Sequence, residues 1–137
     1  MIKRAFQGKE ICVKVTNEVG VLAKITSFLV NHGINVEAVA GYARTLGQPA
    51  ELLFVTDDNV SAIDILKKYG FKESKENDVI VVEVENRPGS LKNISERLAQ
   101  NDINIEYIYC TTCMHGCPAK IILSTSDNKK ALAIMKE

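Results

Sequence analysis

The stretch Val15-Thr-Asn-Glu-Val-Gly-Val-Leu22 recurs 69 residues later as Val84-Glu-Asn-Arg-Pro-Gly-Ser-Leu91. The same shift aligns residues 11–68 with residues 80–137 without a gap, and about a third of the aligned pairs are identical, well above chance for unrelated segments. The sequence therefore predicts a tandem duplication in which each copy forms the same small structural unit.

Both copies show the same succession of strand and helix patterns. In the first copy, apolar residues alternate from Ile11 to Val15, as in a half-buried strand, and recur at helical spacing from Leu22 to Leu29. Two strands of a hairpin follow, and Asp58 and Asn59 then supply the N-cap of a second helix. This order predicts the ferredoxin-like βαββαβ plan, an α+β fold with an antiparallel sheet and both helices on one face.

The predicted domains are residues 1–74 and 75–137. The second copy stops within or just after its second helix and so lacks a fourth strand of its own. Because the 69-residue shift aligns residues 2–3 with residues 71–72, we expect residues 2–7 to fold back as the closing strand of the second domain. That strand would leave no open sheet edge there.

Composition and charge exclude several classes of function. The 137 residues include 17 Lys or Arg and 17 Asp or Glu, so the formal net charge is +0 and no basic stripe is available for nucleic acid. The longest apolar runs are far shorter than the roughly 20 residues that span a bilayer. No apolar segment follows the first four residues, so we expect no signal peptide, no membrane contact and a cytoplasmic location.

Catalytic motifs are absent from the sequence. It contains no phosphate-binding G-x-x-x-x-G-K-[ST] loop, no H-E-x-x-H helix and no recognisable Ser/His/Asp arrangement. The two histidines, His32 and His115, lie in different copies. We therefore expect that the chain is not an enzyme.

The two quoted stretches, each followed by a helical pattern and then by Gly33-Ile-Asn-Val36 or Asp102-Ile-Asn-Ile105, resemble the ACT domain. The resemblance covers nearly the whole chain, twice. It implies a stand-alone tandem ACT protein, a regulatory module that binds an amino acid and has no catalytic domain attached.

The resemblance also implies an effector site where two ACT domains meet. The corresponding residues are Asn17, Gly20 and Asn35 in the first copy and Asn86, Gly89 and Asn104 in the second. Helix-start N–H groups suit a carboxylate, an Asn amide both donates and accepts hydrogen bonds, and Gly lets a ligand approach the backbone. The family geometry implies that Asn17 faces Asn104 and that Asn86 faces Asn35. The alternative is that these residues only form turns and caps.

A cysteine cluster, Cys110-Thr-Thr-Cys113-Met-His-Gly-Cys117, is present only in the second copy. The aligned residues of the first copy are Gly41, Arg44 and Gln48, so the fold does not require these cysteines. In a reducing compartment the default interpretation is hairpin thiols without a cofactor. The alternatives are a redox-sensing dithiol, or a zinc or Fe–S site that uses Cys110, Cys113, Cys117 and His115.

The sequence thus predicts a regulatory protein that binds a small amino acid where its domains meet and signals by altered domain contacts. Because each copy is too small to bury much surface alone, we expect it to form a homodimer. One alternative is an interaction subunit of an amino-acid biosynthetic enzyme with no ligand of its own. Another is a metal or redox sensor that uses the cysteine cluster.

Overall fold

The computed structural model describes residues 1–136, so Glu137, the last residue of the predicted second domain, lies outside the described residues. The described residues form six strands and four helices. In chain order these are β1 (Ile2–Thr16), α1 (Val21–Asn31), β2 (Val36–Tyr42), β3 (Pro49–Thr56), α2 (Asn59–Lys68), β4 (Ser74–Val84), α3 (Ser90–Gln100), β5 (Ile105–Thr111), β6 (Ala119–Thr125) and α4 (Asn128–Met135). None of these helices is long and apolar enough to cross a membrane.

Two compact units divide the chain. Unit one is Lys9–Asn77, and unit two combines Met1–Gly8 with the chain from Asp78 onward. The long strands β1 and β4 each supply residues to both units. The internal boundary lies three residues later than in the predicted domains 1–74 and 75–137. The first eight residues, which include the predicted closing strand 2–7, group with the second repeat.

Hydrogen bonds explain why the first eight residues belong to unit two. The Glu85 N–H donates to the Met1 carbonyl at 3.0 Å, and the Gln7 amide donates to the Asp78 carboxylate at 3.3 Å. Met1, at the start of the first segment, thus pairs with Glu85 at the far end of the second, whereas Gln7 pairs with the earlier residue Asp78. The two segments therefore run antiparallel. Unit two thereby contains a strand that its own repeat does not encode.

Each unit has the strand order of the predicted fold. The order is β2-β3-β1-β4 in unit one and β1-β4-β6-β5 in unit two. The pairs β1–β3, β2–β3, β4–β6 and β5–β6 are antiparallel. The predicted α+β, ferredoxin-type fold is therefore confirmed.

A separate hydrophobic core holds each unit together. In unit one its buried members are Ile11, Val13, Val15, Ile25, Leu29, Phe54, Ala62 and Leu66. In unit two they are Ile80, Val82, Val84, Ile94, Leu98, Ile103, Ile121, Leu123, Ala131 and Met135. Every second residue of a strand faces the same side, and both helices of a unit contribute to its core, so both helices pack on one face of the sheet.

An Asp-Asn pair connects α2 to the sheet of unit one. Asp58 caps the helix by accepting a hydrogen bond from the Ser61 N–H at 3.1 Å, and bonding to Ser61 holds the pKa of Asp58 below its usual value. The Asn59 side-chain oxygen accepts hydrogen bonds from the N–H and hydroxyl of Thr56 at 3.1 and 2.8 Å. Its amide nitrogen donates to the Lys9 carbonyl at 3.1 Å. Asn59 therefore braces the helix against two strands.

Unit two repeats this arrangement around α4. Asp127 accepts from the Lys130 N–H at 3.0 Å, as an N-cap residue does. Asn128 accepts from the Thr125 N–H and hydroxyl at 2.9 and 2.8 Å and donates to the Asp78 carbonyl at 3.2 Å. In both units an Asp therefore caps the second helix, and the following Asn joins that helix to the sheet.

We expect Asn59→Ala to lower the free energy of unfolding by about 1–3 kcal/mol, because it leaves polar groups of the buried Thr56 without a partner. Urea denaturation followed by circular dichroism measures this change. Asn31→Ala is the matched control, since Asn31 is an exposed Asn at the end of α1, and it should alter stability by no more than about 0.5 kcal/mol. Equal stability of the two variants would contradict the bracing role.

Candidate functional site

A small pocket in unit two lies between the start of α3 and the β5–β6 hairpin. Its volume is about 180 Å³, and we call it the α3 pocket. The residues that shape it include Val84, Asn86, Leu91, Cys110, Ala119 and Ile121. Most of these side chains are apolar, so the pocket suits a small aliphatic group.

Polar groups surround the mouth of the α3 pocket. The Asn86 side chain is exposed and has no hydrogen-bond partner among the described residues, so its amide is available to donate and accept. Gly89 precedes α3 in a left-handed conformation with φ 94° and has no side chain to cap the helix. The first N–H groups of α3 therefore have no side-chain acceptor and can receive an anion.

An ion pair adds both signs of charge to the same loop. The Arg87 guanidinium lies 3.0 Å from the Glu85 carboxylate, and both residues line the pocket. The Ser90 hydroxyl donates to the Glu85 carbonyl at 2.6 Å, which fixes the loop against the first turn of α3. The loop thus presents an amide, an anion and a cation around an apolar cavity.

Only part of the aligned region in unit one is filled, because Val15, Thr16 and Ala50, the counterparts of Val84, Glu85 and Ala119, line a pocket of about 750 Å³ there. Gly41 replaces Cys110 there, and Leu52 replaces Ile121. A Cβ atom built on Gly41 would lie 2.6 Å from Cδ2 of Leu52, so the leucine occupies the space that the cysteine side chain takes in unit two. The two repeats share a backbone plan but differ in this cavity.

Asn17, the counterpart of Asn86, is engaged with the β2–β3 turn. Its side-chain amide donates to the Thr45 carbonyl at 3.0 Å. Its backbone N–H donates to the Gln48 carbonyl at 2.8 Å, and its carbonyl accepts from the Gly47 N–H at 2.7 Å. Asn17 therefore anchors the turn, the role that the sequence left open as the structural alternative. Gly20 precedes α1 as Gly89 precedes α3, in the same left-handed conformation with φ 88°.

The asparagines that precede the second strands lie at the other end of the helices. Asn35 and Asn104 are exposed, and their backbone N–H groups donate at 2.9 Å to the side chains of Asp57 and Ser126. Each follows an 11-residue helix, which spans about 16 Å. Within a unit, the structure therefore does not bring the loop Asn and the strand Asn together. The implied facing of residues from different copies stays a prediction.

The β5–β6 turn is closed by a disulfide. Cys113 and Cys117 are joined, with their Cα atoms 5.6 Å apart, while Cys12 and Cys110 are free. The expectation of free thiols is therefore wrong for Cys113 and Cys117. The reason is geometric, because the tight turn brings two cysteines four residues apart within the Cα separation that a disulfide needs.

A metal site in the cysteine cluster is not assembled. Among the described residues, no three His, Cys, Asp or Glu side chains are placed to hold one ion. The disulfide occupies the sulfurs of Cys113 and Cys117, and Cys110 lines the α3 pocket. The prediction that Cys110, Cys113, Cys117 and His115 together hold a metal ion is therefore wrong for this structure, because two of the four ligands are bonded to each other.

The disulfide also explains why Asn86 differs from Asn17. In unit one the Asn17 amide holds the turn through Thr45, and the aligned residue in unit two is Met114. The turn of unit two is closed by sulfur instead, so Asn86 is not needed to hold it. The sequence indicated Cys110 as a possible metal ligand and not as a pocket residue, and it did not indicate the apolar wall of the pocket. The exchange of Gly41 for Cys110 between the repeats was the available signal.

The fold is ACT-like and of the ferredoxin type. Residues 80–137 match the family model of the AHAS small subunit-like ACT domain. The matched segment is the repeat that contains the α3 pocket. No curated protein matches the chain.

Solved structures share the fold along nearly the whole chain. Protein BT0572 from Bacteroides thetaiotaomicron is 23% identical with a TM-score of 0.86, and the match covers 96% of this chain and 88% of that one. The ligand-free regulatory subunit of aspartate kinase from Thermus thermophilus is 16% identical with a TM-score of 0.69, covering 98% and 96%. The corresponding subunit from Thermus flavus is also 16% identical, with a TM-score of 0.67 and the same coverage. These likenesses establish the fold.

Iodoacetamide is expected to label one cysteine per native, non-reduced chain, namely Cys110. Cys12 is only 4% exposed, and burial raises the pKa of its thiol, which disfavours the reactive thiolate. Intact-mass spectrometry counts the labels. Mild reduction should raise the count to three, and Cys110→Ser should give none before reduction. Two or more labels on the non-reduced protein would contradict the disulfide.

Proposed function

We propose that this chain is an amino-acid-sensing regulatory protein whose α3 pocket binds one small aliphatic amino acid. The observation that carries the proposal is the pocket itself, an apolar cavity at the uncapped start of a helix, inside the segment that matches an ACT domain. Two structural relatives are regulatory subunits of aspartate kinase, which supports a regulatory role.

Each part of an amino acid has a complementary group in the α3 pocket. The carboxylate suits the free N–H groups at the start of α3, next to Gly89. The ammonium suits the Asn86 side-chain oxygen at the mouth. The aliphatic side chain suits the wall formed by Leu91 and Ile121.

The size of the pocket limits the ligand. Sites for drug-sized molecules have volumes of about 300–1,000 Å³, whereas this one has about 180 Å³. A larger aromatic or long charged side chain would not fit without movement of the hairpin. We therefore propose that small aliphatic amino acids are the preferred ligands of the α3 pocket.

Binding is expected to act on a partner, either a second copy of the chain or a biosynthetic enzyme. A ligand shifts an equilibrium only by its differential affinity for two states. The ligand would join the loop before α3 to the β5–β6 hairpin, so the state in which these segments lie close together is favoured. The altered contacts of the ACT domain would carry the signal.

The test is a thermal melt of the protein with each of the twenty amino acids. A ligand at 100 times its dissociation constant stabilises by about 2.7 kcal/mol, which raises the midpoint by several degrees. We expect small aliphatic amino acids to produce this rise. Asn86→Ala should abolish it without lowering the midpoint of the free protein, because the Asn86 side chain is exposed. Asn31→Ala, the matched control, should keep the rise.

Calorimetry with the selected amino acid should give one site per chain, because in unit one Leu52 takes the space of Cys110 and the Asn17 amide is bonded to the Thr45 carbonyl. Two equal sites would contradict this assignment. If none of the twenty raises the midpoint, the ligand-binding proposal fails. The interaction subunit without a ligand then becomes the better interpretation.

A second candidate function, redox sensing, is favoured by the disulfide in the hairpin. Thr112 and Ala119, which flank the disulfide-closed turn, line the α3 pocket. An external dithiol would supply two electrons and two protons to give two thiols, Cys113 and Cys117, and would itself become a disulfide. Reduction frees the turn and so loosens one wall of the pocket.

We expect reduction to weaken binding of the selected amino acid at least threefold. Calorimetry on oxidised protein, reduced protein and the Cys113→Ser/Cys117→Ser variant measures this. The variant should bind like the reduced protein under both conditions. Equal affinity in all samples would exclude control of this pocket by the disulfide.

A further inference from the structure

A second cleft of unit two lies between the first strand residues and the two helices. It shares no lining residue with the α3 pocket, although Met1, which lines the cleft, contacts Glu85 and Ser90 of that pocket. Its volume is about 470 Å³, and we call it the α4 cleft. Four of its lining residues are basic, namely Lys3, Arg4, Arg97 and Lys136. None of the described residues that line it is acidic.

The charges of this cleft are only partly compensated. Arg4 forms an ion pair with Glu83 at 3.4 Å. Lys3, Arg97 and Lys136 have no acidic partner among the described residues. Three positively charged residues that line the cavity therefore have no ion-pair partner in the part of the chain that the structure describes.

Arg97 is the central residue of the α4 cleft. Its side chain is half-buried, and its one described hydrogen bond runs from Nη1 to the Ile134 carbonyl at 3.5 Å, the outer limit of such a bond. A guanidinium has five N–H donors in a fixed planar arrangement. Most of these donors are thus available to an anion.

Comparison of the repeats shows that the fold does not need an arginine here. The residue aligned with Arg97 is Phe28. In unit one Phe28 stacks on Tyr69, with ring centroids 4.1 Å apart and an interplanar angle of 6°, and lies 6.5 Å from the Phe71 ring. Unit one thus places an aromatic cluster at this position, in which Tyr69 and Phe71 line a pocket, whereas unit two places a cation there.

We propose that the α4 cleft binds the phosphoryl group of a small phosphorylated molecule. A guanidinium pairs with two phosphate oxygens at once, and Lys3 and Lys136 supply further positive charge. A phosphate monoester has about −1.5 to −2 charges near neutral pH, whereas a single carboxylate has one, so phosphate matches three uncompensated cations better. The volume leaves room for the rest of a small molecule beyond the phosphoryl group.

The proposal does not depend on amino-acid binding, since it involves none of the same residues. The probes are inorganic phosphate, pyrophosphate and glucose 6-phosphate, with acetate for comparison, all at constant ionic strength. Two-dimensional ¹H–¹⁵N NMR of the full chain follows the backbone amides and the Arg97 Nε–Hε signal. We expect saturable shifts at Arg97, Lys3 and Lys136 with a phosphate probe and none with acetate.

The variants separate a site from general attraction to positive charge. Arg97→Gln should weaken binding at least tenfold, and Arg97→Phe, which restores the residue of unit one, should abolish it while the protein stays folded. Lys92→Gln is the matched control, because Lys92 lies on the same helix and is paired with Glu96 at 2.8 Å. Its affinity should equal that of the original protein.

Three outcomes would overturn the proposal. These are shifts that spread over many lysines without saturation, equal binding of acetate, and an equal loss of affinity in Lys92→Gln. Tighter binding of glucose 6-phosphate than of inorganic phosphate would identify a phosphorylated molecule as the ligand. The reverse order would identify free phosphate and overturn the assignment to a larger molecule.

Discussion

The side-chain amides of Asn59 and Asn128 hold together parts of each unit that are distant in sequence. Each amide accepts two hydrogen bonds from the Thr at the end of a strand and donates one to a carbonyl of a neighbouring strand, while its own backbone begins a helix. This fixes where the helix starts above the sheet. With the helix start fixed in this way, Ala62 and Leu66 of α2 and Ala131 and Met135 of α4 lie in the two hydrophobic cores.

The repeat works as an internal comparison, because residues that differ at aligned positions are those that the fold does not require. Cys110 stands where Gly41 lies against Leu52, and a pocket opens there. Arg97 stands where Phe28 stacks in an aromatic cluster, and a basic cleft opens there. In both cases a reactive or charged side chain of unit two lines a cavity, whereas the aligned residue of unit one is packed against its neighbours.

The way in which each hairpin turn is closed determines whether the neighbouring Asn amide is available to a ligand. The β2–β3 turn is held by the Asn17 amide, so that amide is occupied. The β5–β6 turn is closed by the disulfide, so the Asn86 amide remains available at the mouth of the α3 pocket. Two asparagines with the same sequence context thus have different roles, because the groups that surround them come from a different part of the chain.

The sequence by itself determined the fold class, because period-two and helical alternation place apolar residues on one face of each element, and Asp58 and Asp127 mark helix starts through local hydrogen bonds. It also singled out Asn86 and the cysteines of the second copy. Only the tertiary structure decided that Cys113 pairs with Cys117 and that Cys110 faces a pocket. The physical reason is distance along the chain: local patterns report on neighbours within a few residues, whereas cavities, strand partners and unpaired charges arise from segments that meet only when the chain has folded.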